Sequence, residues 1–310
     1  MSDLIAKPQL SDSKDCPLAG DHPVLQKIQT RDAQIGEHLT IRRALPNAQR
    51  RMIGAWCFFD HFGPLNLKTD GLNIAPHPHM GLQTFTWTLH GEILHRDSLG
   101  SKQIIKPGQV NLMTSGQGIS HSEESLPDSV LHGVQLWIAL PGSLRHMDPE
   151  FAHYPTVPER LHQGLQLQII AGEFWGERAP AKVHSPLVGV ALNAQENTEV
   201  VLPLNPSFEY GILPLVGECT LEDHTVDLSS LLYLGCGRKQ VSLRMRLGAQ
   251  ALLIGGEPFK EEIVMWWNFV ARSEAELLDA VRDWEEGDRF GHVQGYSGDR
   301  LHAPEINCHK

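Results

Sequence analysis

Short runs in which apolar and polar residues alternate, closed by turn residues, constrain this chain most. Thr84-Phe85-Thr86-Trp87-Thr88-Leu89 alternates at every position. In an extended strand Phe85, Trp87 and Leu89 face one way and the threonines the other. Val134, Leu136, Ile138 and Leu140 repeat the pattern, as do Leu165, Leu167 and Ile169. Val188 to Leu192, Val200 to Leu204 and Val241 to Leu247 are further β-rich runs. Asp97-Ser98-Leu99-Gly100 and Lys106-Pro107-Gly108 are turn sequences between strands. Many short strands with such turns predict an all-β sandwich or barrel. One helix is expected: Ser273 and Glu276 form the S-x-x-E capping pattern, and Leu277, Leu278, Val281 and Trp284 follow at helical spacing. Such a helix would pack on a sheet.

Length and charge narrow the class. The 310 residues suggest two domains at roughly 150 residues each. The halves echo one another: Leu89-His90-Gly91-Glu92 matches Leu215-Val216-Gly217-Glu218, an acid follows six residues past each glycine (Asp97, Asp223), and Gly116-Gln117-Gly118 matches Gly235-Cys236-Gly237. Two copies of one β-unit are therefore expected, residues 1–150 and 151–310, with the boundary in the Pro-containing stretch from Pro141 to Pro158. The net charge is −11, concentrated between Glu257 and Asp288, where ten acids meet three bases. With no basic face, direct nucleic-acid binding is not expected. No apolar run approaches the length of a membrane span, and the polar start from Met1 to Lys14 does not resemble a secretory signal. Five scattered cysteines (Cys16, Cys57, Cys219, Cys236, Cys308) without a CxxC pattern favour a reducing compartment, so a cytoplasmic protein is expected, with Cys57 as core.

The chemistry lies among the 17 histidines. Pro76-His77-Pro78-His79 places two imidazoles at i and i+2, on one face of a strand. His121 and Glu123 in Gly118-Ile119-Ser120-His121-Ser122-Glu123-Glu124 have the same spacing. Antiparallel strands would bring both pairs together as three imidazoles and one carboxylate around one divalent cation. Counted from the matched glycines, the same positions in the second half hold Pro203, Asn205, Gln240 and Ser242, so only the first half is expected to hold metal. His61 could orient a ligand or be a buried histidine near a turn; His95 reads as a strand end and turn, and His302 and His309 as solvated tail. No GxxxxGK[ST], GxGxxG, HExxH or GxSxG is present, which removes nucleotide, zinc-protease and serine-hydrolase readings.

These segments resemble the pirin family of the cupin superfamily. The carriers are Phe59-Asp60-His61-Phe62-Gly63-Pro64, Pro76-His77-Pro78-His79, Gly91-Glu92-Ile93-Leu94-His95-Arg96-Asp97-Ser98-Leu99-Gly100, Pro107-Gly108, and Met113 through Glu123. Gln135-Leu136-Trp137 and the late helix are similar but less diagnostic. The resemblance implies a bicupin, two β-barrels of which the first binds iron through His77, His79, His121 and Glu123. Three departures stand out. Met80 replaces a frequent Arg, which would remove a charge beside the metal. Thr84 stands about where the wider cupin pattern has a glutamate, and Gln117 replaces a frequent Arg.

Imidazole and carboxylate donors suit Fe(II) and equally Mn, Ni, Cu, Co or Zn, and open positions would admit O2 or a chelating substrate. Some pirins are quercetin 2,3-dioxygenases. The resemblance therefore implies a small aromatic substrate such as a flavonol, O2 as co-substrate, and Glu123 as the catalytic base for its 3-hydroxyl. Thr84, Phe85, Trp87 and Met113 are candidate cavity walls. The alternative the family implies is a metal-dependent regulator that binds a transcription factor or metabolic enzyme as protein partner, for which the acidic stretch would suit a basic surface. A metal-dependent isomerase or decarboxylase is a third reading.

Overall fold

The computed structural model describes residues 10–12, 22–35, 39–66, 71–126 and 130–305. Cys16, Cys308, His309 and most of the polar N-terminal segment lie outside the described residues. The fold is all-β, two barrels of cupin type, with one helix among the described residues.

Each barrel is a large antiparallel sheet facing a four-stranded one. The first large sheet runs Glu150–Tyr154, Val110–Thr114, Leu82–His90, Val130–Ala139, Trp56–Asn66, Leu39–Leu45, Arg31–Ile35. Its four-stranded partner runs Asn73–His79, Ile119–Ser125, Ile93–Asp97, Lys102–Ile105. In the second barrel the four-stranded sheet runs Thr198–Pro203, Gln240–Met245, Cys219–Leu221, His224–Val226, the same order for the matched segments. Gly91 and Gly217, the glycines that anchor the internal repeat, both turn at positive φ (78° and 67°). At Gly91 a Cβ would lie 2.6 Å from the Val130 carbonyl oxygen, so the turn admits no side chain.

Sheet membership crosses the expected boundary near residue 150 in both directions. Pro23–Gln29 pairs with Ser230–Gly235 in the second barrel's large sheet, while Glu150–Tyr154 pairs with Val110–Thr114 in the first. The C-terminal stretch also returns to the first barrel: Leu301 N donates to Pro76 O at 2.9 Å, and Ser120 Oγ to Gly291 O at 3.2 Å.

The main core lies between the barrels. Phe85, Trp87, Leu89, Val134, Leu136 and Ile138 of the first sheet pack with Ala191, Leu213, Leu215, Leu252 and Ile254 of the second. The alternation therefore places its apolar side at the inter-barrel contact and its threonines inside the first barrel. This corrects the expectation for Phe85 and Trp87, which line that contact, on the opposite face of their strand from the barrel interior. Thr84 and Met113, a cross-strand pair, occupy that interior face.

The helix spans Glu274–Glu286 with Ser273 as its N-cap, the Ser273 side chain accepting from Glu276 N. The Glu276 carboxylate accepts from Arg272 N and from the Arg145 guanidinium. Leu277, Ala280 and Trp284 are buried in a cluster with Met80, Trp266, Phe269 and Phe290. Leu278, expected on the apolar face, is 47% exposed, because one residue turns the helix by about 100° and carries it off the Leu277–Trp284 stripe.

Candidate metal centre

His121 lies opposite His77 across the pair formed by Ile119–Ser125 and Asn73–His79, with Ile119 opposite His79. Cross-strand proximity and the two-residue period thus bring three imidazoles to one point. One ring nitrogen from each of His77, His79 and His121 lies within 4.8 Å of the others. All three side chains are buried, and their Nε2 atoms have no hydrogen-bond partner within the protein. Burial lowers the pKa of His77 to about 3 and holds His79 and His121 well below the usual histidine range. The rings are therefore neutral at pH 7, each with a lone pair aimed at its neighbours. Three buried acceptors without a donor make an unfavourable cluster unless a cation sits among them, so the donor set fits a divalent metal.

Their Nδ1 atoms are occupied: His77 Nδ1 lies 2.9 Å from Ala75 O and His79 Nδ1 3.0 Å from Asn268 O. Trp137 meets the His79 ring edge-on at 5.1 Å and stacks on Phe58 at 4.0 Å, which in turn carries the Arg43 guanidinium at 4.5 Å.

Glu123 is buried on the same strand as His121 but stands outside the three-nitrogen group. The facing strand Asn73–His79 carries one extra residue there, so His121 pairs with His77 and Glu123 with Ile74, while against Ile93–Asp97 the two run in regular register. Its Oε1 lies 3.4 Å from Thr86 Oγ1, and burial raises its pKa. Thr86 Oγ1 in turn lies 2.9 Å from Gln135 Oε1. Thr86 and Gln135 belong to a polar row that crosses the large sheet in register: His153, Asn111, Thr86, Gln135, Asp60, Arg43. Arg43 and Asp60 close it with two 2.7 Å contacts. Sequence reasoning missed this wall because a threonine-bearing strand face reads as solvent-exposed until a second sheet covers it.

The other histidines sort by face. His61 alternates away from Asp60 and meets His132, Nε2 to Nε2 at 2.7 Å, so it does not touch the triad. His95, read as part of a turn, faces the triad instead: its Nδ1 lies 3.3 Å from His121 Nδ1. The signal was present, since His95 and Asp97 share the i, i+2 spacing of His77 and His79. His302 is exposed and pairs with Glu285. Cys57 is buried, its thiol pushed up to about 12 by desolvation.

Two departures have structural answers. Met80 brings no charge, yet Arg289 from the C-terminal stretch places Nη2 3.5 Å from Met80 Sδ and donates Nε–H to Gln117 O. Gln117 itself donates to Asp148. In the acidic stretch Glu261, Glu276, Asp279, Asp283 and Glu285 are each paired within the molecule. Among the described residues no helix is long and apolar enough to cross a membrane.

In the second barrel the counted positions do not all face inward: Gln240 is exposed and Ser242 half-buried. The inward positions are Leu202 opposite Val241 and Val200 opposite Leu243, aliphatic side chains without donor atoms.

Two barrels of this order, one with converging buried imidazoles fit for a divalent metal, define a bicupin. The chain belongs to the pirin family: residues 38–138 match the pirin model and residues 189–291 the pirin C-terminal cupin domain. It is 49% identical over 309 residues to a Pseudomonas aeruginosa protein named "Putative quercetin 2,3-dioxygenase", covering 99% of this chain and 98% of that one. The crystal structure of a quercetin 2,3-dioxygenase from Acinetobacter baumannii superposes with a TM-score of 0.90 at 46% identity, covering 92% of this chain and 97% of that one. A bacterial pirin from Escherichia coli, solved with nickel(II), shares the fold at 20% identity, with a TM-score of 0.59 over 76% of this chain and all of that one.

Proposed function

We propose that this protein is a mononuclear metal-dependent dioxygenase that opens the heterocycle of flavonols such as quercetin with O2, and that Fe(II) is its working metal. The observation that carries the reading is the set of three neutral, buried imidazole nitrogens without partners, in a barrel interior walled by Thr86, Gln135 and Trp137. Similarity to proteins named as quercetin dioxygenases supports the substrate class. A divalent metal there would supply a Lewis-acid centre with positions open to O2 and to a chelating oxygen donor.

The chain's own groups do the rest. Glu123 is the fourth donor and the base that takes the proton of the flavonol 3-hydroxyl onto a carboxylate oxygen. Burial raises its pKa, which makes the carboxylate a better proton acceptor near neutral pH. Thr86 and Gln135 hold that carboxylate's side of the cavity, and Trp137 and Met113 offer apolar surface to a planar ring. The ring opens with addition of both oxygen atoms and loss of carbon monoxide.

The test is aerobic turnover of quercetin by protein loaded in turn with Fe, Mn, Ni, Cu or Co, followed by loss of flavonol absorbance and release of carbon monoxide. Iron-loaded protein turns over and His79→Ala does not. No turnover with any of the five metals would sink the proposal.

A further inference from the structure

Two of the triad imidazoles are oriented by main-chain carbonyls and the third by a side chain. Ala75 O and Asn268 O only accept, so His77 and His79 carry their protons on Nδ1 and present Nε2 as a lone pair. His121 Nδ1 meets His95 Nδ1 at 3.3 Å. His95 Nε2 lies 3.1 Å from Asp97 Oδ2. Asp97 Oδ1 is fixed by the N–H groups of Leu99 and Ser101, each at 2.9 Å. All three side chains are buried, and the His95 ring is clamped by stacking on Phe151 at 4.3 Å and 12°.

The order of donors follows from chemistry. The Asp97 carboxylate accepts only, so His95 carries its proton on Nε2. Only one proton fits between His95 Nδ1 and His121 Nδ1, and the triad gains its third lone pair only with that proton on His121. That tautomer leaves His121 Nε2 bare and directed at the other two imidazoles. The opposite tautomer would aim an N–H into the triad and remove the third donor.

We propose that His95, anchored by Asp97, is the positioning residue that selects the Nδ1–H tautomer of His121 and so completes the metal site. This rests on the metal reading of the triad. It differs from a packing role, in which His95 merely stacks on Phe151 and Asp97 merely closes its turn. Outer partners of metal-bound histidines commonly set tautomer and ring orientation in this way.

Three substitutions separate the roles. His95→Phe keeps a stacking ring but has no acceptor. His95→Asn returns an acceptor near the Nδ1 position. Asp97→Asn keeps an oxygen for the turn, but its amide donates to His95 Nε2, moves the His95 proton to Nδ1 and sets two donors face to face. Imidazole 15N spectra of the metal-free protein read the His121 tautomer directly, Co(II) titration reads affinity, and thermal melting reports folding. In the unsubstituted protein His121 is protonated on Nδ1. His95→Phe and Asp97→Asn lose that preference and bind Co(II) roughly ten- to hundredfold more weakly, while His95→Asn keeps both properties. Unchanged tautomer and Co(II) affinity in His95→Phe and Asp97→Asn would overturn the proposal. Failure of the unsubstituted protein to bind Co(II) would overturn the metal reading instead, and the tautomer spectra of the metal-free protein would still decide the relay.

Discussion

The two barrels place equivalent positions in equivalent registers and fill them with opposite chemistry. Thr86 and Ile212 each stand five residues before the repeat's glycine. Thr86 pairs with Gln135 in the first barrel, and Ile212 with Leu253 in the second. The second interior is apolar, with Leu167, Val190, Ile212, Leu232, Leu243 and Leu253 in one buried cluster alongside Phe174 and Tyr210. The first holds buried polar atoms without protein partners, among them Gln135 Nε2, Thr88 Oγ1 and Trp137 Nε1. Each such atom costs about 1–3 kcal/mol where nothing satisfies it. The difference teaches a division of labour: the second barrel packs for stability and backs the first through Leu213, Leu252 and Ile254, so the first can carry an interior built for a ligand.

The comparison breaks most sharply at the ligands. His79→Ala should lower the metal content of protein purified without chelator from one equivalent toward none and abolish quercetin turnover. Val241→Ala, at an inward position of the second barrel, should leave metal content unchanged. Elemental analysis of both variants checks this, and equal metal in His79→Ala and the unsubstituted protein would erase the distinction between barrels.

Acid is the next largest lever. Burial lowers His61 to about 3 and His132 to about 4, both in the first barrel. Unfolded, these rings take up protons below the usual 6.5; folded, they do not until far lower pH. The unfolded state therefore binds more protons across that window, and stability falls as pH drops from about 6.5 toward 4. Each ring contributes up to about 1.4 kcal/mol per pH unit. The raised pKa of Glu123 acts in the opposite sense, losing stability as pH rises through its native value, and offsets part of the slope. Calorimetry from pH 7 to 4 should show a first-barrel transition moving down ahead of the second. Parallel movement of both would contradict the asymmetry.

Much of this was legible locally. The strands, their turns, the Ser273 cap and the i, i+2 spacings of His77 with His79 and of His121 with Glu123 each depend on neighbours within a few residues. Alternation also says that two faces differ, but not what each meets, which is why Phe85 and Trp87 read as cavity walls although they cover the second barrel. The pairing of Pro23–Gln29 with Ser230–Gly235 spans about two hundred residues and leaves no local trace. His95 was visible as a motif, but its role depends on the register that sets Ile93–Asp97 beside Ile119–Ser125. Glu123 keeps the two-residue period from His121, since their strand runs in regular register with Ile93–Asp97; what spacing could not show is the slip in the facing strand, which sets Ile74 opposite the carboxylate.

Smaller effects test the interiors themselves. Leu253→Ala removes fully buried volume from the packed barrel and should cost about 3 kcal/mol, lowering its melting temperature by several degrees while Co(II) affinity holds. Exchanging chemistry at the matched pair is a finer test. Ile212→Thr puts a hydroxyl among aliphatic neighbours with no partner, at a cost of about 2 kcal/mol. Thr86→Val is nearly isosteric and removes one donor, chiefly the 2.9 Å contact to Gln135 Oε1, so its cost in stability should stay near 1 kcal/mol. Its larger consequence should be catalytic. The hydroxyl's one proton goes to Gln135 Oε1; without it Gln135 is released beside Glu123, whose carboxylate lies 3.4 Å from the same oxygen, and kcat/KM for quercetin should fall roughly tenfold, the worth of that one hydrogen bond. Chemical denaturation and steady-state kinetics on both variants decide it. If Ile212→Thr proved as mild as Thr86→Val, the second interior would tolerate polarity as the first does, and the packing contrast between the barrels would not be what separates their roles.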